Sequence, residues 1–159
     1  MQEMTATLEW QTDRQFEGTT GSNHSVTLDG NREANNGASP MELVLMGMGG
    51  CTAYDVVHIL GKSRQKVTKC VTELTAKRSD DVPSVFTHIH VHFVVAGIGL
   101  SDDKVARAVE LSAQKYCSAS IMLARGGVEI THSHAVQNEV QDEVEPNIEP
   151  EAKQGPSGR

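Results

Sequence analysis

A chain of 159 residues has the length of one ordinary domain and can bury a core without disulfide staples. Its formal net charge of −7 repels a phosphate backbone, which argues against nucleic acid as a partner. Cys51, Cys70 and Cys117 are too few, and odd in number, for a disulfide framework, so a reducing compartment and free thiols are expected.

The first residues, "MQEMTATLEW", lack a basic segment followed by an apolar one, so no secretory signal is read and a cytoplasmic location is expected. The segments "TATLEWQ", "RQFEGTT" and "HSVTLDG" carry β-branched and aromatic residues, punctuated by Thr12-Asp13, Gly21-Ser22-Asn23 and Asp29-Gly30-Asn31. That is the chemistry of a small antiparallel meander. In Ser39-Pro40-Met41-Glu42 the serine can cap, the proline fits the first helical position and Glu42 can reach back in a capping box. The helix that starts there is apolar nearly all round, which predicts a buried, central element. Its longest uncharged run, Leu43 to Tyr54, falls short of the roughly 18 residues of a membrane span.

Two alternating segments follow, "KCVTELTAKR" and "FTHIHVHFVVAG". In the second, Ile89, Val91, Phe93 and Val95 share one face and His88, His90 and His92 the other. Ser101-Asp102-Asp103 opens a further helix, with Val105, Ala108, Val109, Ser112 and Tyr116 on one stripe. "SASIMLARGG" reads as a short helix stopped by Gly126-Gly127, and "VEITHSHAV" as a last strand. The order βββ, α, ββ, α, α, β predicts an α+β fold, with helices laid on antiparallel sheet. From Val136 onward six acidic residues face only Lys153 and Arg159, with three prolines among them. Residues 1–135 are therefore expected to form the domain, and 136–159 an acidic, disordered tail.

The chemistry centres on cysteine. Gly47, Gly49 and Gly50 each weaken a helix by about 1 kcal/mol relative to alanine. One reading is that the chain restarts a helix at Cys51, whose thiolate the free amides and the helix dipole would then stabilise. The alternative is that the glycines only permit close packing and Cys51 is a small core residue. Cys117, in "KYCSAS", lies among small residues at a second helix junction, where a resolving thiol could stand. Cys70 sits in a strand pattern and is expected to be unreactive. The histidines suit zinc, copper or nickel by chemistry, but alternate positions on a strand lie roughly 7 Å apart and do not converge on one ion. A solvated outer sheet face is expected for them, and no metal site.

"SPMELVLMGMGGC" with "KYCSAS" resembles the OsmC/Ohr superfamily, in its OsmC-like branch, over about residues 5 to 135. The resemblance implies an OsmC-like two-layer fold with a long buried central helix, in an intertwined homodimer whose N-terminal strands join the second copy's sheet. It further implies thiol-dependent reduction of hydroperoxides, with Cys51 attacking and Cys117 resolving, no cofactor, and an external dithiol as reductant. Peroxidase branches carry a glutamate directly after the helix-starting proline, paired with an arginine of the N-terminal strands. Here Met41 holds that position, which leaves Glu42 and Arg14 as candidate supporting residues. A second expectation follows from Met41: a non-catalytic dimer of this fold that binds a small apolar or electrophilic ligand. Metal sensing by the histidine faces is a third, weaker one.

Overall fold

The computed structural model describes residues 3–140. Three strands, β1 (Ala6–Thr12), β2 (Gln15–Thr20) and β3 (Ser25–Asp29), form the expected meander with antiparallel pairing throughout. Its turns take the left-handed backbone at Asp13 (φ +41°) and Asn23 (φ +66°), residue types that tolerate it. The Asp29 carboxylate then accepts from the N–H groups of Asn31 (2.7 Å) and Asn36 (3.1 Å), folding the polar loop back to the start of the long helix.

That helix, α1 (Pro40–Lys62), begins with the capping box read from the sequence. The Ser39 N–H donates to Glu42 Oε2 (2.7 Å) and the Glu42 N–H to Ser39 Oγ (3.4 Å). Contrary to expectation, α1 runs unbroken through Gly47, Gly49 and Gly50. Packing overrides propensity at Gly49, where a Cβ would stand 2.6 Å from Leu74 Cδ1, so the glycine is what lets helix and sheet approach. By length and composition α1 could also cross a membrane, although Asp55 interrupts it and one face packs on the chain's own sheet. Nor is α1 buried all round: Met48, Gly49, Thr52, Val56 and Leu60 are enclosed, whereas Val44, Met46, Tyr54 and Val57 are exposed.

The second sheet holds β4 (Lys66–Arg78), β5 (Phe86–Ile98) and β6 (Glu129–Asn138), with β5 in the centre. β4 and β5 are antiparallel, but β6 lies parallel to β5, so the sheet is mixed rather than purely antiparallel. The cause is the crossover between them, α2 (Asp102–Leu111), a π-helical turn (Ser112–Tyr116) and α3 (Ser118–Arg125), which returns the chain to the end where β5 began. The core fills the space between this sheet and the helices, with Ile89, Val91, Phe93 and Val95 of β5 against Met48, Val56, Leu60, Val105 and Ala108. β6 continues to Asn138, taking in Val136 to Asn138 of the expected tail; residues 141–159 lie outside the described part.

Candidate active site

Cys51 occupies the middle of α1, so the helix terminus expected beneath it is absent. The N-terminus of a helix lies instead beneath the other cysteine: Cys117 is the N-cap of α3, and its Sγ accepts from the Ser120 N–H at 3.4 Å. The π-helical turn delivers it there. Its wider spiral carries the bond from the Cys117 N–H to the Ser112 carbonyl (2.9 Å), and the chain then turns extended at Cys117 before α3 starts.

A buried hydroxyl pair fastens this junction to α1, Ser112 Oγ lying 2.8 Å from Thr52 Oγ1 and 3.3 Å from the Thr52 carbonyl. Ser112 also reaches Asp55 Oδ2 at 3.4 Å. Asp55 follows Cys51 by one helical turn, on the same face. As a result one ligand atom each from Cys51, Asp55 and Cys117 lies within 4.8 Å of the other two. Cys51 and Asp55 are half-buried and Cys117 is fully enclosed. All three cysteines are free thiols.

The electrostatics of Cys117 are set by competing effects. Burial, the largest, pushes its thiol up to about 11; the Ser120 N–H pulls the other way, and Cys51 and Asp55 add to the rise. The sequence reading missed Asp55, although its i, i+4 spacing from Cys51 in "CTAYD" was the signal. Beside Asp55 opens a mainly apolar recess of about 340 Å³, lined by His58, Ile59, Lys62, Leu111 and Tyr116 as well.

Neither supporting candidate joins this cluster within the chain. Glu42 is engaged in the capping box, whose hydrogen bonds with Ser39 lower its carboxyl pKa. It also precedes Cys51 by nine helical residues, about 13 Å along the axis. Arg14 lies exposed in the turn between β1 and β2, its carbonyl accepting from the Gly30 N–H. Cys70, in β4, packs against the core, and burial raises its thiol pKa.

His88, His90 and His92 stand on the outer face, where Glu129, Thr131 and Ser133 engage them. His132 and His134 do not share that face, because the register sets them opposite Val91 and Phe93, which point inward. His134 Nε2 meets Asp102 Oδ1 (3.1 Å) at the start of α2. His132 Nε2 is buried without a hydrogen-bond partner, and burial, then the nearby His90, lowers its pKa. Among the described residues the histidines form no group of converging ligands.

A family model described as OsmC-like protein matches residues 30–133. The chain belongs to the OsmC-like family. Among its OsmC-like relatives is Protein YhfA of Escherichia coli strain K12, 49% identical over 133 residues, which cover 84% of this chain and 98% of the relative. A solved structure titled a hypothetical protein from Aquifex aeolicus VF5 is 29% identical, with a TM-score of 0.79 over 88% of this chain and all of that one. The organic hydroperoxide resistance protein OhrB of Bacillus subtilis superposes with a TM-score of 0.57, over 84% of this chain and 98% of that one. At 17% identity, that likeness is one of fold. The matched family span contains Cys51, Asp55 and Cys117 but begins after Arg14.

Proposed function

We propose that this OsmC-like chain is a cytoplasmic, homodimeric thiol protein that reduces hydroperoxides. The observation that supports it is the approach of Cys51 and Cys117 to within 4.8 Å, from separate elements 66 positions apart in sequence. Cys51, as thiolate, attacks the terminal oxygen of ROOH. The O–O bond breaks, the alkoxide takes up a proton to leave as ROH, and Cys51 becomes a sulfenic acid. Cys117 then attacks that sulfur, releasing water and forming the disulfide, which an external dithiol reduces in a two-electron exchange. Closing the bond takes the sulfurs to about 2.05 Å. The apolar recess beside Asp55 favours an alkyl over an inorganic hydroperoxide.

Burial and the Asp55 carboxylate both oppose negative charge on Cys117, and a cation from a second copy would favour the thiolates that the reaction needs. Arg14 enters no ion pair among the described residues and lies exposed in the turn between β1 and β2, free to serve Cys51 of a second copy. Titrating the reduced protein with cumene hydroperoxide tests the reading. Two thiols per chain should be lost, none in Cys51→Ser, and Cys117→Ser should trap the sulfenic acid; thiols that survive peroxide would sink it. Met41 and the apolar recess favour a second reading, a ligand-binding dimer without catalysis. That protein would show a ligand-dependent melting shift and no peroxide consumption.

A further inference from the structure

Two thiols and a carboxylate that converge on one point are a donor set as well as a redox pair. We propose that the reduced chain binds one zinc ion through Cys51, Asp55 and Cys117. Zinc is favoured by the chemistry of the donors: two soft sulfurs with one carboxylate oxygen suit a borderline-soft, redox-inert ion in tetrahedral geometry. Around zinc, neighbouring sulfur ligands stand about 3.8 Å apart, from Zn–S bonds of about 2.3 Å. The three ligand atoms already lie within 4.8 Å of one another, so side-chain rotation of about 1 Å closes the site.

The surroundings supply what a bare triad would lack. Asp55 is oriented from outside by the Ser112 hydroxyl at 3.4 Å, and Ser112 is fixed by Thr52. Asp55 takes part in no ion pair among the described residues, so its charge is available to a cation. Cys51 and Asp55 are half-exposed, leaving an entry side and a fourth position for water, while Cys117 closes the floor. No other group of His, Cys, Asp and Glu among the described residues meets this geometry.

Zn²⁺ takes both sulfurs as thiolates, and any proton a thiol carries is released to solvent. Binding takes no electrons. On the peroxidase reading, a consequence follows: bound zinc and the Cys51–Cys117 disulfide exclude each other, because both use the same sulfur lone pairs, and oxidation releases the ion.

The experiment is a cobalt(II) titration of the reduced, metal-free full chain under argon. Thiolate-to-cobalt charge-transfer absorption and tetrahedral d–d bands should saturate at one ion per chain, be displaced by zinc, and accompany release of thiol protons. Cys51→Ser and Cys117→Ser should each lose the saturable signal, with melting curves confirming that they fold. Asp55→Asn should keep the charge-transfer band and bind more weakly, because a neutral amide replaces an anionic oxygen ligand, and Cys70→Ser should bind as the parent does. No charge-transfer band at one equivalent, a band that survives both Cys51→Ser and Cys117→Ser, or unchanged affinity in Asp55→Asn overturns the site. Peroxide titration of the metal-free chain separates the two proposals. Cobalt uptake with peroxide-resistant thiols leaves the metal site standing alone, and thiol loss without cobalt uptake leaves the peroxidase alone.

Discussion

Cys117 and Cys51 lie near each other in unequal surroundings, and the difference has a pH signature. Cys117 is fully enclosed, and its thiol is pushed up to about 11, burial outweighing the single N–H of Ser120. In the unfolded chain a cysteine titrates at about 8.5. The folded state therefore favours the protonated thiol. That contribution is complete below about pH 8.5 and is lost as pH rises through about 11, at most about 3 kcal/mol. Urea unfolding of the parent and of Cys117→Ala should show it, the parent losing stability relative to the variant across that window; parallel pH profiles would contradict it. Alkylation of Cys117 by iodoacetamide, followed by peptide mapping, should climb over the same range. Asp55→Asn should bring the climb to lower pH by removing a charge that opposes the thiolate. Asp55 was open to the sequence reading through its spacing from Cys51, but its bearing on Cys117 depends on a contact between α1 and the junction after α2, which no periodicity encodes.

The glycines of α1 look alike in sequence and differ in what they touch. Gly49 admits Leu74, whereas Gly61, near the end of the helix, has open space where a Cβ would stand. Gly61→Ala should stabilise by up to about 1 kcal/mol through helix propensity alone. Gly49→Ala gains the same propensity but must displace Leu74, an overpacking cost of about 1–3 kcal/mol. Chemical denaturation should rank Gly49→Ala below Gly61→Ala, and the reverse order would show that Leu74 yields without strain. Ser39, Pro40 and Glu42 announce the start of α1 because capping is local chemistry. The break expected at Gly49 was wrong because propensity is local and the Leu74 contact is not. The alternation of β5 predicted its buried and wet faces correctly, and the parallel placement of β6 escaped because pairing partners leave no mark on a strand's own pattern. Likewise the inward turn of His132 and His134 follows from register against Val91 and Phe93, not from their spacing.

At the scale of the molecule, the apolar surface exceeds what one chain encloses. All of β1 is exposed, including Trp10 at 62%, and the outward face of α1 presents Met46 at 63% and Tyr54 at 69%. Single exposed apolar residues are ordinary, but a stripe along a helix that also buries its opposite face marks an interaction surface. A second copy is the covering we propose, since it would use the same surface on both chains, the self-complementary arrangement of a two-fold dimer. Light scattering after size exclusion should then give twice the 17.2 kDa chain mass. Tyr54→Glu places a charge in the middle of the stripe and should shift the protein toward monomer, with a melting temperature that no longer depends on protein concentration. Val82→Glu is the matched control, because Val82 is 98% exposed in the loop between β4 and β5 and is not part of the α1 stripe. A parent that is monomeric at micromolar concentration removes the dimer, and a dimer that withstands Tyr54→Glu as well as Val82→Glu moves its interface off α1. Peroxide reactivity belongs in the same experiment: if Arg14 of one copy supplies the cation for Cys51 of the other, thiol oxidation should slow in step with dissociation, and Arg14→Ala should slow it without changing the mass.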